Sequence, residues 1–140
     1  MAGNSSIADR WLDAWNARET DRILACLTDD GIYEDVPLGV VNRTPSEARQ
    51  FIAAAWGAFP DLRFETTTAV VTGAHGVIEW TMLGTHAGDF PGMPATGRTF
   101  AVRGVSVLTL SGEKIRRVSD YWDFATVLRQ LGFLPSAAAA

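Results

Sequence analysis

The sequence predicts an α+β fold: a cone-shaped α+β barrel in which a curved, mostly antiparallel sheet wraps around three N-terminal helices, followed by a short C-terminal helix. Two observations predict it. Up to residue 60, apolar residues recur at helical spacing behind helix-capping residues, whereas in residues 62–122 they recur with a period of two. Helices followed by a run of long strands are typical of domains whose helices pack on one face of an antiparallel sheet.

Capping residues mark the starts of the three N-terminal helices. Ser6 and Asp9 form a capping box for the first helix, and Thr20 is the predicted cap of a short second helix that ends at residues 29–31. Thr44 begins the third helix, because a proline follows it at the first helical position and a glutamate lies three residues on. We therefore expect three helices before the long strands.

One short strand pattern lies before the third helix, and four long ones follow it. The predicted strands are residues 32–36, 62–71, 77–85, 98–110 and 114–122. The glycine- and proline-rich segment 88–97 interrupts them and is predicted to form a lid or the rim of a pocket. Asp123 caps a last helix, which Gly132 ends.

Size and composition indicate one globular domain, residues 1–140, with an ordered core of about residues 6–135. No apolar run approaches the roughly 20 residues of a membrane span, and the first residues lack a signal-peptide pattern, so we expect a cytoplasmic protein. The net charge of -4 argues against a nucleic acid partner. One cysteine and two histidines argue against a metal, and the lack of nucleotide-binding motifs argues against a cofactor.

Asp120 is the main candidate for chemistry. It alternates with Val118 and Trp122 on the last predicted strand, so its carboxylate shares an otherwise apolar face. Burying an unpaired charge costs several kcal/mol, which favours a carboxylate that lines a cavity used by a ligand. The alternatives that stay open are a position in solvent at the end of the sheet and an ion pair with a nearby arginine.

Asp35 and His86 are further candidates. Asp35 ends a predicted strand, where it either belongs to the site or is simply solvated. His86 directly precedes the glycine-rich segment, and it either contacts substrate or caps the loop by hydrogen bonding. Trp80 and Met82 share one face of their strand, which favours a pocket wall, although aromatic residues at such spacing are more often core.

A resemblance to a known family rests on four short motifs. Residues 58–62 read Ala-Phe-Pro-Asp-Leu, residues 84–98 enclose Gly-Asp-Phe-Pro-Gly-Met-Pro, residues 112–115 read Gly-Glu-Lys-Ile at a turn and strand start, and the last helix ends in Leu131 and Gly132. With these motifs the chain resembles, over about residues 7–132, the SnoaL-like polyketide cyclases, in the superfamily that also holds ketosteroid isomerase and nuclear transport factor two. The resemblance implies the conical α+β fold.

The resemblance also implies roles for individual residues. Asp120 matches the aspartate that is the acid/base of the polyketide cyclases, and Asp35 matches the general base of ketosteroid isomerase. The tyrosine and the aspartic acid of the ketosteroid isomerase oxyanion hole fall on Trp11 and on Ser106 or Val105. An oxyanion hole of that type is therefore incomplete here.

Strand parity and the resemblance together give a predicted pocket wall. Its members are Trp11, Trp15, Tyr33, Trp80, Met82, Gly104, Ser106 and Trp122. The small residues at positions 104 and 106 are predicted to leave room for a flat, bulky ligand.

The resemblance implies a cofactor-independent enzyme of aromatic polyketide biosynthesis. It implies acid/base chemistry, such as intramolecular aldol cyclisation or isomerisation, on a small hydrophobic polycyclic carbonyl substrate. In the expected step, Asp120 removes a proton next to a carbonyl, while Asp35 and His86 position or protonate oxygen atoms. A polyketide hydroxylase of the anthracycline type and a non-catalytic binding or adaptor module are the alternatives. The exposed face of the sheet is expected to form a homodimer.

Overall fold

The structure, a computed structural model, describes residues 6–135. Its elements, in chain order, are α1 (Ile7–Asn16), α2 (Thr20–Ala25), β1 (Leu27–Asp35), β2 (Val40–Asn42), α3 (Pro45–Ala58), β3 (Arg63–Thr72), β4 (His75–Thr85), β5 (Thr99–Ser111), β6 (Lys114–Trp122) and α4 (Phe124–Leu131). The predicted extent of the ordered core depends on residues 1–5 and 136–140, which lie outside the described residues.

The six strands form one sheet in the order β2-β1-β6-β5-β4-β3. All neighbouring strands run antiparallel except β1 and β6, which are parallel. The predicted α+β class, with three helices before a mostly antiparallel sheet, is confirmed. The sheet is open, since β2 and β3 are its two edges. We did not predict β2, because three residues are too few to show an alternating pattern.

The predicted helix caps are confirmed at three of four helices. Ser6, Thr44 and Asp123 each accept a hydrogen bond from the backbone N–H three residues on, at 3.0 or 3.1 Å. Thr20 is a correction: it is the first residue of α2, and Glu19 occupies the cap position without a side-chain hydrogen bond. A helix of six residues that packs against its neighbours can form without that bond.

Residues 29–31 were predicted to end the second helix, but they lie within β1. Leu27 pairs with Ile115 and Ile32 with Arg117, so the register shifts between these two pairs and β1 bulges. Glycine and aspartate, which usually indicate a turn, here allow the local distortion of a strand.

The helices cover one face of the sheet. Helix α1 packs across β3 and β4, and α4 packs on β5. Trp11, Leu12 and Trp15 face inwards from α1 and are buried, as are Ile78 and Leu108 from the opposing strands. Within residues 6–135, no helix combines the length and the apolar character that crossing a bilayer requires.

Candidate active site

A cavity lies between the concave face of the sheet and helices α1, α3 and α4. Ten aromatic side chains, six aliphatic or methionine side chains and two aspartates line it. The centres of water molecules can occupy about 60 Å³ of it. At roughly 10–15 Å³ for each water, this space holds only a few molecules. The cavity is therefore narrow and apolar, and two carboxyl groups lie on its wall.

The carboxyl group of Asp120 lies on the cavity wall with only 6% of the residue exposed. The hydroxyl of Tyr33 donates to its Oδ2 at 2.9 Å, and the hydroxyl of Ser106 donates to its Oδ1 at 2.6 Å. The indole N–H of Trp80 donates to Ser106 Oγ at 2.9 Å, which orients that hydroxyl towards the carboxylate. Both oxygens of Asp120 are thus held by buried donors on the two neighbouring strands, β1 and β5.

Asp35 lies beside Asp120, because the two residues are paired in the parallel register of β1 and β6. It is equally buried, at 6% exposure. The indole N–H of Trp122 donates to its Oδ2 and the backbone N–H of Leu38 to its Oδ1, both at 3.1 Å. Adjacent strands lie about 4.8 Å apart, so the two carboxyl groups face the same small space.

Burial raises the pKa of both carboxyl groups. Desolvation lifts the pKa of Asp120 to about 7; the hydrogen bond from Ser106 lowers it, the charge of Asp35 raises it, and the bond from Tyr33 lowers it. Desolvation also raises the pKa of Asp35 to about 6, against the hydrogen bonds from Trp122 and Leu38. Such values suit proton transfer near neutral pH.

The structure places five of the eight predicted wall residues on the cavity. These are Trp15, Tyr33, Trp80, Met82 and Trp122. Ser106 lies just behind the wall, where it holds Asp120. Trp11 is a correction: it is 1% exposed and packs edge-on against Trp15 and Tyr33, with ring centroids 6.5 and 5.3 Å away, so it supports the wall from behind.

Gly104 is also a correction. A Cβ at this position would overlap the six-membered ring of Trp80 and would come within 2.8 Å of the carbonyl oxygen of Tyr121. The space that the glycine leaves is therefore filled by the indole of Trp80 and not by a ligand. Gly104 serves the site indirectly, because it lets Trp80 reach Ser106.

His86 does not line the cavity, which corrects its predicted contact with substrate. Its ring is fully buried between Phe59 and Phe133, with centroid distances of 5.2 and 5.9 Å. Its Nδ1 lies 3.2 Å from Thr96 Oγ1. The position agrees with the alternative weighed from the sequence, that His86 fastens the loop.

Several lining residues were missed by sequence reasoning. They include Phe51 of α3, Phe59 directly after α3, Phe64 of β3, Phe124 of α4, and Phe90 and Met93 of the loop after β4. The apolar stripe of α3 was visible in the sequence, but a stripe shows only that a face is covered. Among the described residues, no group of three metal-ligating side chains occurs.

Comparison with known sequences identifies a family, and a relative that matches most of the chain. Residues 5–131 match the sequence model of a family described as SnoaL-like polyketide cyclase. Aklanonic acid methyl ester cyclase DauD of Streptomyces sp. (strain C5) is 25% identical over 138 residues, which is 94% of this chain and 83% of the relative.

Comparison with solved structures supports the same fold. TsrD from Streptomyces laurentii has a TM-score of 0.80 and 26% identity, covering 91% of this chain and 93% of that chain. AclR from Streptomyces galilaeus, for which a hydroxylase activity has been proposed, has a TM-score of 0.81 and 21% identity, covering 94% and 86%. These proteins share the conical arrangement of helices and sheet.

Proposed function

Because this chain belongs to the SnoaL-like polyketide cyclase family and is a cyclase-type enzyme, we propose that it closes a ring in an aromatic polyketide by an intramolecular aldol reaction. The proposed substrate is a hydrophobic, polycyclic carbonyl compound, and no cofactor takes part. DauD, the relative described above, is a cyclase named for aklanonic acid methyl ester.

Two buried carboxyl groups side by side in an apolar cavity carry the proposal. Burial raises the pKa of both Asp35 and Asp120 towards neutral pH, where a carboxyl group can both gain and lose a proton. The pair can therefore take a proton from carbon and give one to oxygen without help from bulk water. An apolar wall also strengthens the interaction of each carboxyl group with charge that develops in the substrate.

The proposed reaction conserves every atom of the substrate. The carboxylate of Asp120 takes a proton from the carbon next to a carbonyl group, and the C–H electron pair forms an enolate. The enolate carbon attacks a second carbonyl carbon, so that a C–C bond forms while the C=O π bond breaks. The resulting alkoxide takes this proton back from the Asp120 carboxyl group, which restores the starting carboxylate.

An assay with aklanonic acid methyl ester, the compound in the name of DauD, tests the proposal. Cyclisation is expected to give a product of unchanged mass with one more ring and one more hydroxyl group, under argon as well as under air. Liquid chromatography with mass spectrometry follows the new isomer. Recovery of unchanged substrate in both atmospheres would leave only the binding or adaptor role.

Hydroxylation is the second candidate, and the similarity of the fold to AclR favours it. A hydroxylase inserts one atom of molecular oxygen, and two electrons from a reductant convert the other atom to water, so its product is heavier by one oxygen and forms only when oxygen and a reductant are supplied. The same incubation under argon therefore separates the two reactions.

The groups around Asp120 predict how the activity depends on pH. If its carboxylate is the base, turnover falls as pH drops through about 7. Ser106→Ala removes a hydrogen bond that lowers the pKa of Asp120, so this acidic limb is expected to move to higher pH. Asp35→Asn removes a negative charge that raises the pKa, so the limb is expected to move to lower pH. Profiles of kcat against pH measure both shifts.

Ser119→Ala is the matched control for these profiles. Ser119 precedes Asp120 on β6, but its hydroxyl donates to Glu34 Oε1 at 2.9 Å, on the other side of the sheet. The control is expected to keep the wild-type limb. Shifts of Ser106→Ala and Asp35→Asn in the same direction would contradict the assignment of Asp120 as the base.

The outer face of the sheet supports a proposed homodimer. Val70, Val77 and Val107 are paired across β3, β4 and β5, and they are 56%, 41% and 41% exposed. A row of exposed valines is unusual for a surface that stays in water. Light scattering that returned the mass of one chain would contradict the dimer.

We also propose a cytoplasmic location, where the free thiol of Cys26 stays reduced. Recovery of the protein from the culture medium would contradict this location.

A further inference from the structure

The loop between β4 and β5 places two side chains, Phe90 and Met93, on the cavity. We call residues 89–95 of this loop the flap. Phe90 and Met93 exchange two backbone hydrogen bonds of 3.0 and 2.7 Å, and the N–H of Ala95 donates to Asp89 Oδ1 at 2.8 Å. These bonds join residues of the flap to one another, so the flap keeps its own shape as a unit.

The residues on either side of the flap are anchored to the body of the protein by backbone hydrogen bonds. The N–H groups of Ala87 and Gly88 both donate to the carbonyl oxygen of Ala58, the last residue of α3, at 3.0 Å. A Cβ at Gly88 would overlap the carbonyl oxygen of Gly57, so the backbone is pressed against the helix there. On the other side, the N–H of Gly97 donates to the carbonyl oxygen of His86 at 2.8 Å.

The tip of the flap meets the body of the protein through side chains. The ring of Phe90 lies against Phe59, with centroids 6.3 Å apart, and Phe59 in turn packs edge-on against Phe100 at 5.2 Å. Such a contact is packing between two rings, unlike the backbone hydrogen bonds on either side of the flap. Moving the tip is therefore far less costly than moving a strand or helix of the wall.

The size of the cavity requires that some part of the wall moves. About 60 Å³ is available in this conformation, whereas pockets that bind small molecules usually measure about 300–1,000 Å³. A fused-ring guest does not fit until some of the lining side chains move. Phe90 and Met93 are half-buried, line the cavity and belong to the element whose tip is held by side chains.

We propose that the flap is the gate of the cavity, and that Phe90 and Met93 are specificity-determining residues that swing out together to admit a flat, multi-ring guest and then cover it. The inference rests on the proposed function only in taking this cavity as the substrate site. It predicts that opening precedes binding and limits the rate at which large guests enter.

Stopped-flow tryptophan fluorescence with alizarin, a three-ring dihydroxyanthraquinone, tests the gate. Trp15, Trp80 and Trp122 line the cavity and report its occupation. In the wild type, the observed rate is expected to level off as the alizarin concentration rises, because opening becomes limiting. The double variant Phe90→Ala with Met93→Ala is expected to bind at least about ten times faster, without levelling off.

Met82→Ala is the matched control, since Met82 lines the same cavity from strand β4. It enlarges the cavity and leaves every residue of the flap unchanged, so it is expected to change the dissociation rate and to keep the wild-type association rate. Phe90→Leu, which retains an apolar side chain, provides an intermediate rate if the double variant folds poorly. An association rate equal in wild type and flap variants, or raised equally by Met82→Ala, would overturn the gate.

The result is independent of catalysis. Asp120→Asn retains the flap and is expected to bind alizarin at the wild-type association rate, whatever its turnover. If the flap variants bind alizarin at the wild-type rate, the aldol proposal still stands. Conversely, a protein without cyclase activity can still show faster association in the flap variants.

Discussion

Asp120→Asn is expected to lower turnover by roughly 10²–10⁴, the range for a lost general acid/base. Asparagine has the same shape but cannot accept a proton from carbon. Its amide can still accept from Ser106 and donate to the hydroxyl of Tyr33, so the hydrogen bonds that now end on the carboxylate can be rearranged. Initial rates of ring closure measure the loss.

The stability of the same variant, relative to that of the wild type, is expected to be greater at alkaline pH than at acidic pH. Because the pKa of Asp120 is raised to about 7 in the folded protein, against about 3.9 in an unfolded chain, the group's favourable contribution is complete below about pH 4. It is lost as pH rises through about 7. Asparagine does not titrate, so denaturant unfolding of the variant should vary less between pH 4 and 8.

Asp30→Asn is the control for both measurements. Asp30 is exposed on β1 and accepts a hydrogen bond from Thr28 Oγ1 at 3.1 Å. It is expected to leave turnover and the pH dependence of unfolding unchanged. Wild-type turnover in Asp120→Asn would remove Asp120 from the mechanism.

Gly104→Ala is expected to reduce the free energy of unfolding by about 3 kcal/mol, at the upper end of the cost of overpacking a core. The added methyl would overlap the buried ring of Trp80 and press on the backbone of β6 at Tyr121. The ring is 1% exposed and packs edge-on against Phe64, so it has no free space to enter. Chemical denaturation monitored by fluorescence measures the change.

Gly57→Ala is the matched control for that substitution. A Cβ at Gly57 meets nothing within 4 Å, and the residue lies in α3. Alanine favours a helix over glycine by about 0.5–1 kcal/mol, so this variant is expected to be as stable as the wild type or more stable. Equal denaturation midpoints for the two variants would contradict the account of how Gly104 accommodates Trp80.

The class of the fold and the position of Asp120 were predictable because both follow from local rules. Capping residues and a period of two are properties of short segments, and alternation placed Asp120 on the same face as Val118 and Trp122. Alternation does not show what fills the space in front of a residue. That is why Gly104 was assigned to a ligand, although it accommodates an indole from the next strand.

The pairing of the two carboxyl groups was not predictable from spacing. Asp35 and Asp120 meet because β1 and β6 lie side by side in parallel, and such a pairing leaves no local pattern in the sequence. The resemblance to a known family indicated both residues but not their contact. His86 and Trp11 were misplaced for a similar reason, since depth behind a wall depends on packing between distant elements.

The parallel pairing of β1 with β6 also affects how the chain acquires its active site. Tyr33 and Asp120 are 87 positions apart, and chains fold during synthesis from the N-terminus onwards. Strand β1 is therefore synthesised long before β6, the strand with which it pairs in parallel. The edge of β1 that pairs with β6 has no such partner until β3, β4 and β5 have been made. Since contacts between distant residues close slowly, the two acids are brought together late, after most of the meander that surrounds them exists.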